Sequence, residues 1–127
     1  KKHAKLWSWA MIYGRGDFSI LHSHGNSLIS SVYCVKIPDN MIMDKQPNNI
    51  LPGTFHAVDP RSTAKIALNK TSHPVLLEEG QGLIFPGWLE HFVTPHNIDD
   101  DRICITTNMR IFNNGTKDAT GNQYAYF

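Results

Sequence analysis

Four residues of this chain have types and spacing that allow joint chemistry: His22 and His24 in Leu21-His-Ser-His24, His91 closing Gly82-Leu-Ile-Phe-Pro-Gly-Trp-Leu-Glu-His91, and Arg102 opening Arg102-Ile-Cys-Ile-Thr106. Residues two apart on an extended chain share a face, so His22 and His24 can converge on one ion. A His-x-His pair with a distant third His is a common way to hold a divalent metal on a β scaffold. The chain has 7 histidines, enough for accidental pairs, so His3, His56, His73 and His96 are read as surface or hydrogen-bonded residues. His96, just past His91, is the best of these. Arg102 offers a planar fork that meets a carboxylate through two charge-assisted hydrogen bonds. The bland alternative for it is a surface pair with Asp99 to Asp101, which would contribute little.

These residues need strands to hold them. Alternation in Gly82 to Phe85 and in Arg102 to Thr106 predicts two short strands, broken by Pro86-Gly87 and by the acidic run Asp99 to Asp101. Upstream, strands are expected over Leu6 to Tyr13, Phe18 to Leu21, Leu28 to Ile37, Thr54 to Val58 and His73 to Glu78, and Thr106 to Phe112 completes the last. Gly14-Arg-Gly-Asp17 reads as a tight turn, Met41 to Pro52 as a loop able to act as a lid, and Asn113 to Asn122 as a polar tail. No sustained helical period or repeat occurs. Short strands punctuated by turn signals predict an all-β fold with few or no helices, a jelly roll in which the metal sits at the open mouth between two sheets.

Composition narrows the function classes. At 127 residues the chain is expected to form one domain, with a core over about residues 7–112 and a tail over 113–127. Its 18% charged residues and formal charge of +1 leave no field to draw in nucleic acid or a membrane. No apolar run approaches the roughly 20 residues that span a bilayer, and no signal peptide is visible, so a cytoplasmic location is expected. Cys34 and Cys104 lie inside apolar runs, which suits buried, reduced thiols better than a secreted disulfide framework. A bridge between them is the alternative. The aromatic end Tyr124-Ala-Tyr-Phe127 is a candidate surface for a homo-oligomer.

The order His22-x-His24, His91, Arg102 resembles the His-x-Asp, His, Arg order of the Fe(II)/2-oxoglutarate oxygenases. The wording Trp9, Gly14, His22-x-His24, Ser30-Ser-Val-Tyr33, Asp59-Pro-Arg61, Phe85-Pro-Gly-Trp88-Leu-Glu-His91 and Arg102 to Asn108 is similar to the 2-oxoglutarate/Fe(II) oxygenases of marine phages and bacteria. The resemblance covers about residues 7 to 112 and implies a double-stranded β-helix, the cupin-like jelly roll. It implies that His22 and His91 ligate Fe(II), that Arg102 takes the distal carboxylate of 2-oxoglutarate, and that Tyr33 and Asn108 lie near this co-substrate. Arg61 becomes a candidate substrate contact and Trp88 a candidate pocket wall. The implied reaction is hydroxylation of a peptide or small molecule, with release of succinate and CO2.

The chain departs from the resemblance at position 24, where His replaces the usual acid. Three neutral imidazoles leave the ion one unit more positive than two His and a carboxylate, which softens selectivity toward nickel, zinc or copper. Cupins also use three histidines, and Gly16-x5-His22-x-His24 and Gly80-x5-Pro86 with His91 match parts of their pattern. Their glutamate is missing, however, and they have no use for Arg102. Two rivals therefore stand beside the hydroxylase: a three-His metalloenzyme without 2-oxoglutarate, and a jelly-roll binding module without catalysis.

Overall fold

The computed structural model describes residues 2–41, 50–61 and 71–113. Among them are eight strands: β1 (Lys2–Tyr13), β2 (Ser19–His22), β3 (Ile29–Lys36), β4 (Phe55–Val58), β5 (Ser72–Val75), β6 (Gly82–Pro86), β7 (His91–Val93) and β8 (Arg102–Asn113). They form two four-stranded antiparallel sheets, ordered β1-β8-β3-β6 and β2-β7-β4-β5. This is the expected double-stranded β-helix, and no α-helix occurs among the described residues. No helix long and apolar enough to cross a membrane occurs among them either. The expected loop over Met41 to Pro52, the polar stretch after Ser62, the tail from Asn114 and the aromatic end lie wholly or largely outside the described residues.

The side-chain period of two fixes what each strand offers the space between the sheets. In β3, Ser30, Val32 and Cys34 are buried while Ile29, Tyr33 and Val35 are exposed. In β8, Arg102, Cys104 and Asn108 are buried and point the same way. The core is thin and consists largely of the facing side chains Tyr13, Val32, Cys34, Phe55, Phe85, Val93 and Cys104. Phe55 of one sheet meets Phe85 of the other at a centroid distance of 5.3 Å; a tilted aromatic pair of this kind adds about 1 kcal/mol to what its buried area contributes.

The segment from Gly82 to Thr106, which the sequence divides into two strands, contains three. The central piece His91–Val93 crosses to the other sheet, where it pairs with both β2 and β4. Three residues are too few for alternation to register, so its sequence signal is only the break at Pro86-Gly87. The β5 expectation also shortens, because the pairing with β4 ends at Val75.

Candidate metal and co-substrate site

His22 ends β2 and His91 begins β7, and the two are direct partners in the ladder. His24 lies just beyond β2 in a turn held by two backbone bonds: its N–H donates to the Gly87 carbonyl at 2.7 Å, and its carbonyl accepts from the Ser27 N–H at 2.7 Å. The ladder and this turn bring the three rings together, with one ligand nitrogen from each lying within 4.8 Å of the others. The rings of His22 and His91 are 4.3 Å apart, and those of His24 and His91 are stacked at 5.1 Å.

The hydrogen bonds around the rings decide which nitrogens are free. Nδ1 of His22 lies 2.7 Å from the Ile20 carbonyl, and Nδ1 of His91 lies 2.8 Å from the Leu89 carbonyl. A carbonyl only accepts, so each Nδ1 carries a proton, which in the neutral ring leaves the Nε2 lone pair free. Nδ1 of His24 is 3.2 Å from the Asn108 amide, which is held on its other side by the Ser30 hydroxyl at 2.7 Å. Burial, and secondarily the neighbouring His22 and His24, lowers the His91 pKa to about 4. Burial and then His22 lower that of His24. Both rings are therefore neutral donors at neutral pH. Three imidazoles with no acid among them suit a divalent first-row transition metal, so the residues present fit an iron ion.

A cavity of about 230 Å³ opens beside these rings. Its wall is mainly apolar, with Trp9, Met11, Phe55, Phe85 and Val93, and its polar groups are Tyr13, Ser19, Thr106 and Arg102. Arg102 is 2% exposed. Its guanidinium sits 5.3 Å from the centre of the Tyr13 ring, Nη2 is 4.0 Å from the Cys34 sulfur, and Nε has no partner. No carboxylate pairs with it among the described residues. A buried cation left in this state is costly unless an anion arrives. Asp99 and Asp100 do not take it, since Arg15 pairs with Asp99 and Lys36 with Asp100.

The remaining expected site residues divide. Asn108 is buried and braces His24 rather than lining the cavity. Tyr33 is a correction: it is 46% exposed on the outer face of β3, because Val32 and Cys34 on either side of it point inward. Trp88 is a correction as well, being 61% exposed in the turn after β6, while Trp9, 6.2 Å from the His24 ring, takes the wall position. Arg61 is bound to Asp59 through two guanidinium nitrogens and lies outside the cavity. Tyr13 and Ser19 escaped the sequence reading. Their hydroxyls are 2.6 Å apart at the Arg102 end of the cavity, and the signal for Tyr13 was its inward phase in Trp7-x-Trp9-x-Met11-x-Tyr13.

A family described as "Putative 2OG-Fe(II) oxygenase" matches residues 7–108. Solved structures that share the fold include the following three. An oxidoreductase of the 2OG-Fe(II) oxygenase family from Burkholderia pseudomallei aligns with a TM-score of 0.59 at 11% identity, over 84% of this chain and 45% of that one. A prolyl-4-hydroxylase from Pseudomonas putida aligns with a TM-score of 0.53 at 17% identity, over 81% and 50%. A non-heme monooxygenase, the ThoJ–Ni complex, aligns with a TM-score of 0.59 at 14% identity, over 98% and 56%. At these identities the likeness is one of fold, and the chain spans about half the length of each. No curated protein matches it.

Proposed function

The chain belongs to the 2OG-Fe(II) oxygenase family, and from that premise we propose that it is a dioxygenase hydroxylating a peptide or small molecule. In this reading His22, His24 and His91 hold Fe(II), and Arg102 binds the distal carboxylate of 2-oxoglutarate. The observation that carries it is the buried Arg102 guanidinium, without an acid partner among the described residues, in the same cavity as three imidazoles gathered within 4.8 Å. Iron held there by His22, His24 and His91 would supply the oxidising chemistry: O2-dependent decarboxylation of the keto acid to succinate and CO2, coupled to oxygen insertion into a substrate C–H bond.

The chain's own residues do the positioning. Arg102 presents parallel N–H donors in a setting of low dielectric, where a charge-assisted pair is strong. The Tyr13 and Ser19 hydroxyls, at the same end of the cavity, take the place first expected of Tyr33 as further donors. Trp9, Phe55, Phe85 and Val93 exclude water around the rings, and the Ile20 and Leu89 carbonyls keep the Nδ1 protons of His22 and His91 so that both rings face the site through Nε2. The prolyl-4-hydroxylase relative supports a peptidyl substrate by analogy of fold. The free thiols Cys34 and Cys104 support a reducing compartment, the cytoplasm. One observation favours a second reading: the third imidazole in place of an acid suits a three-His enzyme that uses no keto acid, with nickel or zinc as a competing occupant.

Anaerobic titration of 2-oxoglutarate into Fe(II)-loaded protein separates the two. The expected result is the visible charge-transfer band of a chelated keto acid, with the affinity lowered about 100-fold in Arg102→Ala, the loss of a buried charge-assisted pair. Iron bound with no band overturns the oxygenase reading, and activity that survives Arg102→Ala favours the rival.

A further inference from the structure

Beneath Arg102, Cys34 of β3 and Cys104 of β8 face each other as direct partners in the ladder. Their sulfurs are 3.6 Å apart, both residues are at most 1% exposed, and both thiols are free. The position they share suits a covalent bridge. The Cys34 N–H donates to the Gln81 carbonyl and its carbonyl accepts from the Gly80 N–H, so both of its peptide groups face away from β8. Cys34 and Cys104 are therefore a non-hydrogen-bonded pair, the type in which opposed Cα atoms lie about 4.5 Å apart and side chains approach closest. That separation falls within the span of about 4.4–6.8 Å that a disulfide bridges.

Cys104 also lines the cavity, so a small oxidant reaches the pair by the route that serves the co-substrate. Cys34, in turn, touches the Arg102 guanidinium. We propose that Cys34 and Cys104 are an oxidation site that forms an intramolecular disulfide with hydrogen peroxide and thereby tunes the affinity of Arg102 for a carboxylate. Two S–H bonds and the peroxide O–O bond break and one S–S bond forms; the thiols lose two electrons and two protons, which leave with the peroxide oxygens as two waters. Before oxidation the hydrogen bond from Cys104 and the positive charge of Arg102 hold the Cys34 pKa down to about 7, placing a partial thiolate against the guanidinium, where it competes with an incoming carboxylate. The disulfide is neutral and removes that competitor.

The second half of this inference rests on the role proposed for Arg102; the first half does not. The test uses the full chain loaded with Zn(II), which is redox-inert and so avoids side reactions of iron with peroxide. After treatment with peroxide, intact mass under non-reducing conditions is expected to fall by two hydrogens, with both thiols lost to alkylation and regained with dithiothreitol, and Cys34→Ser abolishes the mass change. Calorimetric titration of 2-oxoglutarate at about pH 8, where the Cys34 thiol is mostly ionised, is expected to show about tenfold tighter binding after oxidation, from removal of the adjacent thiolate, and a gain of only about twofold at about pH 7. Oxygen addition to a single cysteine, or a disulfide between two chains, overturns the site. A disulfide with unchanged or weaker 2-oxoglutarate binding overturns the tuning, and absence of binding in both redox states strikes the Arg102 assignment while the mass change still decides the disulfide.

Discussion

At the level of single residues, two of the three imidazoles have their orientation fixed by backbone carbonyls and the third by a side chain. The second kind is the more fragile, because an amide can be replaced where a carbonyl cannot. For His24 to offer Nε2 to an ion, its Nδ1 proton needs an acceptor. Turning the Asn108 amide over supplies one, since Oδ1 then faces His24 and Nδ2 faces Ser30, whose hydroxyl takes either role. Asn108→Leu is therefore expected to weaken metal binding about 10- to 100-fold, measured by competition with a chromophoric chelator, with Asn108→Asp retaining more of it because a carboxylate accepts the same bond. His91→Ala is expected to lose most of its metal in equilibrium dialysis, whereas His73→Ala, at an exposed position, keeps it; equal retention in both would overturn the ligand set.

At the level of elements, the turn between β6 and β7 and the turn carrying His24 are built against each other. A Cβ on Gly87 would overlap the Ser27 carbonyl and come within 2.9 Å of the His24 carbonyl oxygen, both of them backbone atoms that cannot swing aside. Gly87→Ala should accordingly destabilise the fold by roughly 2–4 kcal/mol and reduce metal affinity through the displaced His24. Urea unfolding and metal titration of the same variant check both effects, and a stable variant with intact binding would refute the coupling. This explains which site residues the sequence could reveal. Arg102 and Asn108 were legible through the resemblance of the stretch Arg102 to Asn108, whereas Thr106 was not singled out, because in β8 the polar residues turn inward and Ile105 outward, the reverse of what apolar alternation suggests. Tyr33 was not legible, because Ile29-Ser-Ser-Val-Tyr-Cys-Val35 has apolar residues on both faces, and the phase is settled only by β8 and β6 pairing on either side. Trp88 misled because a large aromatic near a ligand His suggests a wall, whereas the chain turns there with its side chain outward.

For the whole molecule, the site is also a liability. The folded state resists protonation of His91 down to about pH 4, whereas an unfolded histidine takes up its proton near 6.5. The unfolded chain thus binds more protons between these values, so stability is complete above about 6.5 and falls as pH drops toward 4, by roughly 3 kcal/mol in total. Denaturation of the metal-free protein at about pH 7.5 and pH 4.5 measures this slope, which His91→Gln should flatten; an unchanged slope in that variant would place the acid sensitivity elsewhere. The two-sheet architecture and the gathering of His22, His24 and His91 could be read from sequence spacing. The hydroxyls of Tyr13 and Ser19 could not, since only the closure of one sheet over the other brings them beside Arg102.

The arrangement along β8 has a consequence for how such a chain can change over generations. The proposed carboxylate anchor, one thiol of the pair, a cavity-lining hydroxyl and the brace of His24 all lie on one face of a single strand, at alternate positions. Exchanging any one of them alters one property. Losing or gaining one residue between Ile103 and Thr107 would turn every side chain downstream of the change to the opposite face, at almost no change in composition. Descendants of this sequence are therefore free to vary in length around Asn97 to Asp101 but not within β8, where the reading frame of the pleat is itself what is inherited.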